Sequence, residues 1–208
     1  MLIAHIVHAA NGYLINQFLD STANQRTDQW GGSIENRSRF GLEVFKAAQE
    51  VYGPDVAIKL SPTGGYNDVG MPLEEALETF RYFITEVDKL SPSYITLARY
   101  NPLLDVEFDG KKRATQHDVL ESYRDYVKNA KLYLNSGVQP EEGEKLVAEG
   151  KVDAISFGFN WITHPDLVKR IEQGVPLNNA PDFITLQGGK PGNDDWSAGY
   201  TDYPTATA

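Results

Sequence analysis

The chain has 208 residues, 41% hydrophobic and 23% charged, with 18 glycines and 11 prolines; this is a globular composition and excludes a collagen-like or low-complexity chain. Its 29 acidic and 19 basic residues leave a net charge of −10, and a surface that acidic repels phosphate backbones and anionic lipid, so neither nucleic acid nor a membrane is an expected partner. With no cysteine there is no disulfide, thiolate nucleophile or Cys-ligated zinc.

No apolar run approaches the roughly 20 residues that span a bilayer. The opening MLIAHIVHAANGYL lacks the basic start of a signal peptide, which leaves the cytoplasm as the default location.

In chain order, the apolar run Ile3–His8 predicts a strand, followed by a Gly-containing loop and the run Leu14–Phe18. Ser33 to Tyr52 reads as a helix, because Phe40, Val44, Ala47, Ala48 and Val51 share one face at helical spacing and Gly53-Pro54 stops it. Val56–Leu60 is a β-branched run of strand length closed by Ser61-Pro62. The strongest stripe, Leu73, Ala76, Leu77, Phe80, Phe83, Ile84 and Val87, predicts a helix entered at Pro72. Tyr94–Ala98 follows as a strand and Val119–Ala130 as a helix with Tyr123, Tyr126 and Val127 inward. Leu132–Leu134 is a short strand, Pro140–Glu149 a helix, Asp153–Phe157 a strand and Pro165–Gln173 a helix closed by Gly174. The tail after Asn178 is polar and rich in Gly and Pro.

Strands alternating with helices predict parallel strands joined by right-handed crossovers, an α/β architecture. No G-x-G-x-x-G follows any strand, which argues against a dinucleotide-binding loop, and no linker divides the chain. In such folds the reactive groups stand at the C-terminal ends of strands. His8, Asn11 and Tyr13 are the most informative group there: His and Asn can both donate to one oxygen and Tyr can supply a proton. The same residues also read as a core histidine beside a turn-forming Asn-Gly. Four histidines without metal-ligand spacing predict no metal.

HAANGYLINQFLD followed by RTDQWGGSIENRSRF closely resembles the old yellow enzyme family of flavin-dependent ene-reductases, and the resemblance runs on through IKLSP, FGFNWITHPDLVKRIEQGVPLN and GYTDYP. It implies an FMN-binding (β/α)8 TIM barrel that takes hydride from NADPH or NADH and reduces the C=C bond of a small-molecule activated alkene. His8 and Asn11 occupy the positions that hold the substrate's carbonyl oxygen, and Tyr13 that of the proton donor. Lys59 stands where the family has an arginine on the flavin ring; a lysine keeps the charge and loses the bidentate fork. Lys59 also reads as a surface lysine or a Schiff-base lysine. Ser136, Gly137 and Gly158 fit the backbone role around the FMN phosphate, whereas Phe159 replaces the family's phosphate-binding arginine. Tyr100 and Asn101 fall at the substrate pocket, and Tyr200 is expected to cover it from the tail. The RTDQWGGSIENRSRF segment reads as structural, with Arg26, Asp28, Glu35, Arg37 and Arg39 forming ion pairs.

A (β/α)8 barrel takes about 250 residues. The resemblance places the first residues on the fourth strand, so residues 1–180 would be the C-terminal portion of the barrel, about strands 4 to 8, and 181–208 a tail near its active-site face. Five strands cannot close a barrel, because strand number, tilt and shear are linked. The expectations are therefore a fragment of a full enzyme, a chain completed by a homo-oligomer or a complementing chain, or a truncated, non-catalytic relative that acts as a binding protein.

Overall fold

A computed structural model of the chain describes residues 5–186 and 195–206. Ile3 and Ala4 of the expected first strand, and residues 187–194 of the expected tail, lie outside them. The chain gathers into two compact units, the first ending at Ser156 and the second beginning at Phe157.

The first unit carries β1 (His5–Ala9), α1 (Leu14–Leu19), α2 (Ile34–Tyr52), β2 (Val56–Leu60), α3 (Leu73–Lys89), β3 (Tyr94–Ala98), α4 (Val119–Tyr123), β4 (Lys131–Asn135), α5 (Pro140–Ala148) and β5 (Ala154–Ser156). All five strands are parallel and stand in their chain order, as the alternation of elements predicts. Side chains alternate across a strand, so pairing fixes which residues share a face. Val7 pairs with Ile58, Leu60 with Leu97 and Leu97 with Leu134, which gathers the apolar residues on one face. Phe45 of α2 and Phe80, Phe83 and Ile84 of α3 complete that core, all fully buried.

Local chemistry sets the helix ends. Ser33 caps α2 by accepting from the Asn36 N–H at 3.3 Å, and Gly53 stops it at φ 65°. Where α2 crosses α3, a Cβ on Gly41 would lie 2.8 Å from the Phe83 ring, so the two helices meet through a glycine. Arg37 is buried beneath the loop before α2: its guanidinium donates to Leu19 O at 2.9 Å and Thr79 Oγ1 at 3.0 Å, and pairs with Glu75 at 3.1 Å. The expected ion pairs of this segment therefore reach across to α3, whereas Arg26–Asp28 stays local.

The helix expected over residues 119–130 is shorter. α4 ends at Tyr123, a 3-10 turn covers Arg124–Tyr126, and the next residues leave the helix. The cause is Asp88 at the end of α3. Its buried carboxylate accepts from the N–H groups of Lys128, Asn129 and Ala130 at 2.9–3.1 Å, holding them in a bend outside the helix ahead of β4. Tyr123 is buried as expected, while Tyr126 is exposed under the Arg81 guanidinium.

The second unit holds α6 (Phe159–Thr163), α7 (Leu167–Gln173) and α8 (Phe183–Leu186). Buried Arg170 pairs with Asp166 at 2.8 Å and donates to Pro176 O and Pro204 O, and Asp166 accepts from the Ala206 N–H, tying the chain's last described residues to α7. His164 is enclosed by Thr163 and Asn179. Among the described residues no helix is long and apolar enough to cross a membrane, and no group of His, Cys, Asp and Glu is placed to hold a metal.

Replacing Asp88 by alanine leaves three backbone N–H groups without their acceptor. The expected cost is about 3 kcal/mol, read as a lower urea-unfolding midpoint, and a midpoint within error of the parent removes Asp88 as the lock on this loop.

Candidate active site

At the C-terminal end of β1 the chain reverses through Ala10–Tyr13, with the Tyr13 N–H returning to Ala10 O at 3.2 Å. Both central residues have positive φ, 57° at Asn11 and 66° at Gly12, as a type I′ turn demands. Asn tolerates that region, and glycine is required at 12 because a Cβ there would lie 2.2 Å from Tyr66 O. Side chains hold the turn. The Asn11 N–H donates to Ser61 Oγ at 2.7 Å and the Gly12 N–H to Asn16 Oδ1 at 2.9 Å; Asn67 donates to Asn11 O and Gln17 to Gly12 O.

The turn brings Tyr13 over the end of β1, its ring centroid 5.2 Å from that of His8 and 6.4 Å from that of Tyr66. The His8 ring, the Asn11 amide and the Tyr13 hydroxyl have no hydrogen-bond partner among the described residues. The turn's polar backbone is thus satisfied, while its three reactive side chains are free to engage a ligand.

His8 pairs in register with Lys59, Lys59 with Thr96, and Thr96 with Tyr133, so these four stand in one row on the face opposite the apolar core. Tyr94 and Tyr133 stack on that face with centroids 4.2 Å apart. Lys59 is half-buried and has no hydrogen-bond or ion-pair partner among the described residues. Burial pushes its ammonium below the ordinary lysine value. Desolvation, and then the Lys59 charge, hold the His8 imidazole below its ordinary 6.5, which favours the neutral ring.

The other expected residues divide. Tyr100 follows β3, but its hydroxyl is committed to Asp105 at 3.0 Å, and the amide oxygen of Asn101 accepts from the Leu103 N–H. Ser136 and Gly137 follow β4, both with positive φ. The cation beside them, Arg99, donates to Ser136 O at 3.2 Å and forms a bidentate ion pair with Glu142, donating to its two carboxylate oxygens at 2.6 and 3.0 Å. Gly158, Phe159 and Tyr200 belong to the second unit. Gly158 precedes α6, Phe159 packs edge-on against Phe183, and the Tyr200 hydroxyl donates to Leu186 O. Sequence reading missed Ser61 and Asn16, both buried. Their signals were a small polar residue just past a strand end and a lone amide on the apolar side of α1.

A cation near a base disfavours its protonated form, so removing the Lys59 charge raises the His8 pKa. By NMR titration of the imidazole, His8 is expected below 6.5 in the parent and higher in Lys59→Met. An unchanged midpoint separates the two groups electrically.

The sequence pattern of the NADH:flavin oxidoreductase / NADH oxidase family matches residues 6–178. The chain is 35% identical over 205 residues to the probable inactive dehydrogenase easA of Claviceps fusiformis, covering 95% of this chain and 51% of that protein. It is 36% identical over 199 residues to the probable flavin mononucleotide-dependent alkene reductase of Leishmania infantum, covering 95% and 49%. The old yellow enzyme from Trypanosoma cruzi superposes with a TM-score of 0.80 at 27% identity, over 98% of this chain and 50% of that one. The chain therefore spans about half the length of the curated relatives it matches. Its parallel α/β sheet and its sequence agree: the chain belongs to the NADH:flavin oxidoreductase / NADH oxidase family, that of the old yellow enzymes.

Proposed function

We propose that the protein is an FMN-dependent oxidoreductase that takes hydride from NADPH or NADH and reduces the C=C bond of an activated, enone-type alkene, this chain supplying the βα units from the fourth barrel strand onward. The observation that carries the reading is the mouth of β1, where His8, in the row that holds Lys59, and Asn11 and Tyr13 next to it present polar side-chain groups without a hydrogen-bond partner among the described residues. Neutral His8 and the Asn11 amide each donate to the substrate's carbonyl oxygen. Two fixed donors there stabilise the negative charge that develops on it. The Tyr13 hydroxyl, a phenol with a pKa of about 10 in solution, delivers a proton to the other alkene carbon. FMN, when bound, supplies the hydride.

Lys59 suits the electron-rich edge of a flavin ring, because a half-buried ammonium without a partner is stabilised by any group that carries negative charge. The turn at Ser136 and Gly137 is proposed to face the cofactor's phosphate with backbone N–H groups. The roles expected for Gly158, Phe159 and Tyr200 rest on the resemblance alone.

A second reading, a non-catalytic relative, is favoured by that loop: Arg99, the cation beside it, is already paired with Glu142. The two readings separate on flavin. The protein, mixed with FMN and desalted, is expected to keep a flavin absorbance that bleaches with NADPH under anaerobic conditions, and Tyr13→Phe is expected to slow alkene reduction about 100-fold. Folded protein that keeps no flavin means instead that this chain is a fragment of such an enzyme or a non-catalytic relative.

A further inference from the structure

Asn-Gly suits the positive φ of both central residues in a type I′ turn, but the N–H groups of the two residues still need acceptors, and those fix where the Asn11 side chain stands. At Asn11 and Gly12 those acceptors are specific. The Ser61 hydroxyl accepts from the Asn11 N–H at 2.7 Å and donates onward to Asn16 Oδ1 at 3.3 Å. The same Asn16 oxygen accepts from the Gly12 N–H at 2.9 Å. One hydroxyl and one amide oxygen thus hold both N–H groups of the turn, and both residues are nearly sealed from solvent, Asn16 at 1% and Ser61 at 6% exposure.

The link also joins two strand ends. Asn11 follows β1, Ser61 directly follows β2, and Lys59 lies two residues before Ser61 on β2. The loop after β2 is braced in turn by the loop after β3, through Arg113–Asp68 at 2.6 Å, the Thr115 N–H to Thr63 O at 2.8 Å and the Thr115 hydroxyl to Met71 O at 2.7 Å. The turn is therefore anchored to a supported wall.

We propose that Ser61 and Asn16 are positioning residues, whose hydrogen bonds to the backbone of the Ala10–Tyr13 turn hold the Asn11 amide where it meets the substrate oxygen. The inference rests on the donor role given to Asn11 above. Without the Ser61 oxygen the Asn11 N–H loses its acceptor and the turn relaxes, displacing the amide without touching substrate or cofactor. A shift on the order of 1 Å in such a group costs about 100-fold in rate at most.

A double-mutant cycle on alkene-reduction kcat/KM tests it, with retained flavin absorbance as the measure that the site is otherwise intact. Asn11→Gly removes the amide and keeps a backbone at ease with positive φ. Ser61→Ala is expected to lower kcat/KM on the order of tenfold, mainly through kcat, in the parent, and to have no further effect in Asn11→Gly. Ser61→Thr, which retains the hydroxyl, is expected to restore most of the loss. Ser61→Cys, which keeps the volume and weakens the acceptor, runs in parallel, so a folding failure of Ser61→Ala leaves the cycle readable. An equal loss in both backgrounds, or no loss in the parent, overturns the positioning role and leaves the proposed function standing. If Asn11→Gly itself reduces alkenes at the parent rate, or the folded parent reduces none, the donor reading fails and takes this inference with it.

Discussion

The pairing of His8 with Lys59 between β1 and β2 is the constraint on which the rest depends. Side chains on a strand alternate with a period of two, so a slip of β1 by one residue against β2 would turn His8 into the core and bring Val7 out of it. The apolar residues opposing α2 and α3 make that slip prohibitively costly. Hydrophobic burial on one face thereby dictates the row of polar side chains on the other, and core and site are written into the same short strands.

Charge sharpens the contrast between the two. Elsewhere among the described residues three buried or half-buried arginines are answered by carboxylates, Arg37 by Glu75, Arg99 by Glu142 and Arg170 by Asp166, while Arg81 donates to Ser122 O and lies over the Tyr126 ring. Such pairing comes easily to a chain with ten more acidic than basic residues. Among the described residues Lys59 has neither a hydrogen-bond nor an ion-pair partner on the face that carries His8. A desolvated lone charge is a cost to folding that a ligand can relieve, and such costs gather at functional sites. Membership of a flavin oxidoreductase family gives that cost a chemical context.

The strands and the two long helices were legible because their patterns are local: Val56–Leu60 and Tyr94–Ala98 coincide with the strands observed, and α3 follows its apolar stripe. The His8, Asn11 and Tyr13 group was legible because three chemically apt residues lie within one short stretch. What escaped is what depends on contacts between distant residues. Periodicity carried the helix at 119 too far because nothing in residues 124–130 announces that Asp88, on another element, captures their N–H groups. In the same way Arg37 finds Glu75, the Tyr100 hydroxyl is taken up by Asp105, and Ser61 and Asn16 converge on one turn. A single sequence lists these polar groups without saying which of them meet.

The strand order also bears on how the first unit is made. Each strand from β2 onward pairs with the strand synthesised just before it, and no pairing within the sheet waits for a segment still to come. Each pairing still spans a whole helical crossover, as between His5 and Val56 or Tyr94 and Lys131, and parallel pairing of residues so far apart in the chain is slow to form. On the ribosome, where domains emerge from their N-terminal end, each βα unit meets a partner that is already exposed, and the sheet can grow by accretion in step with translation.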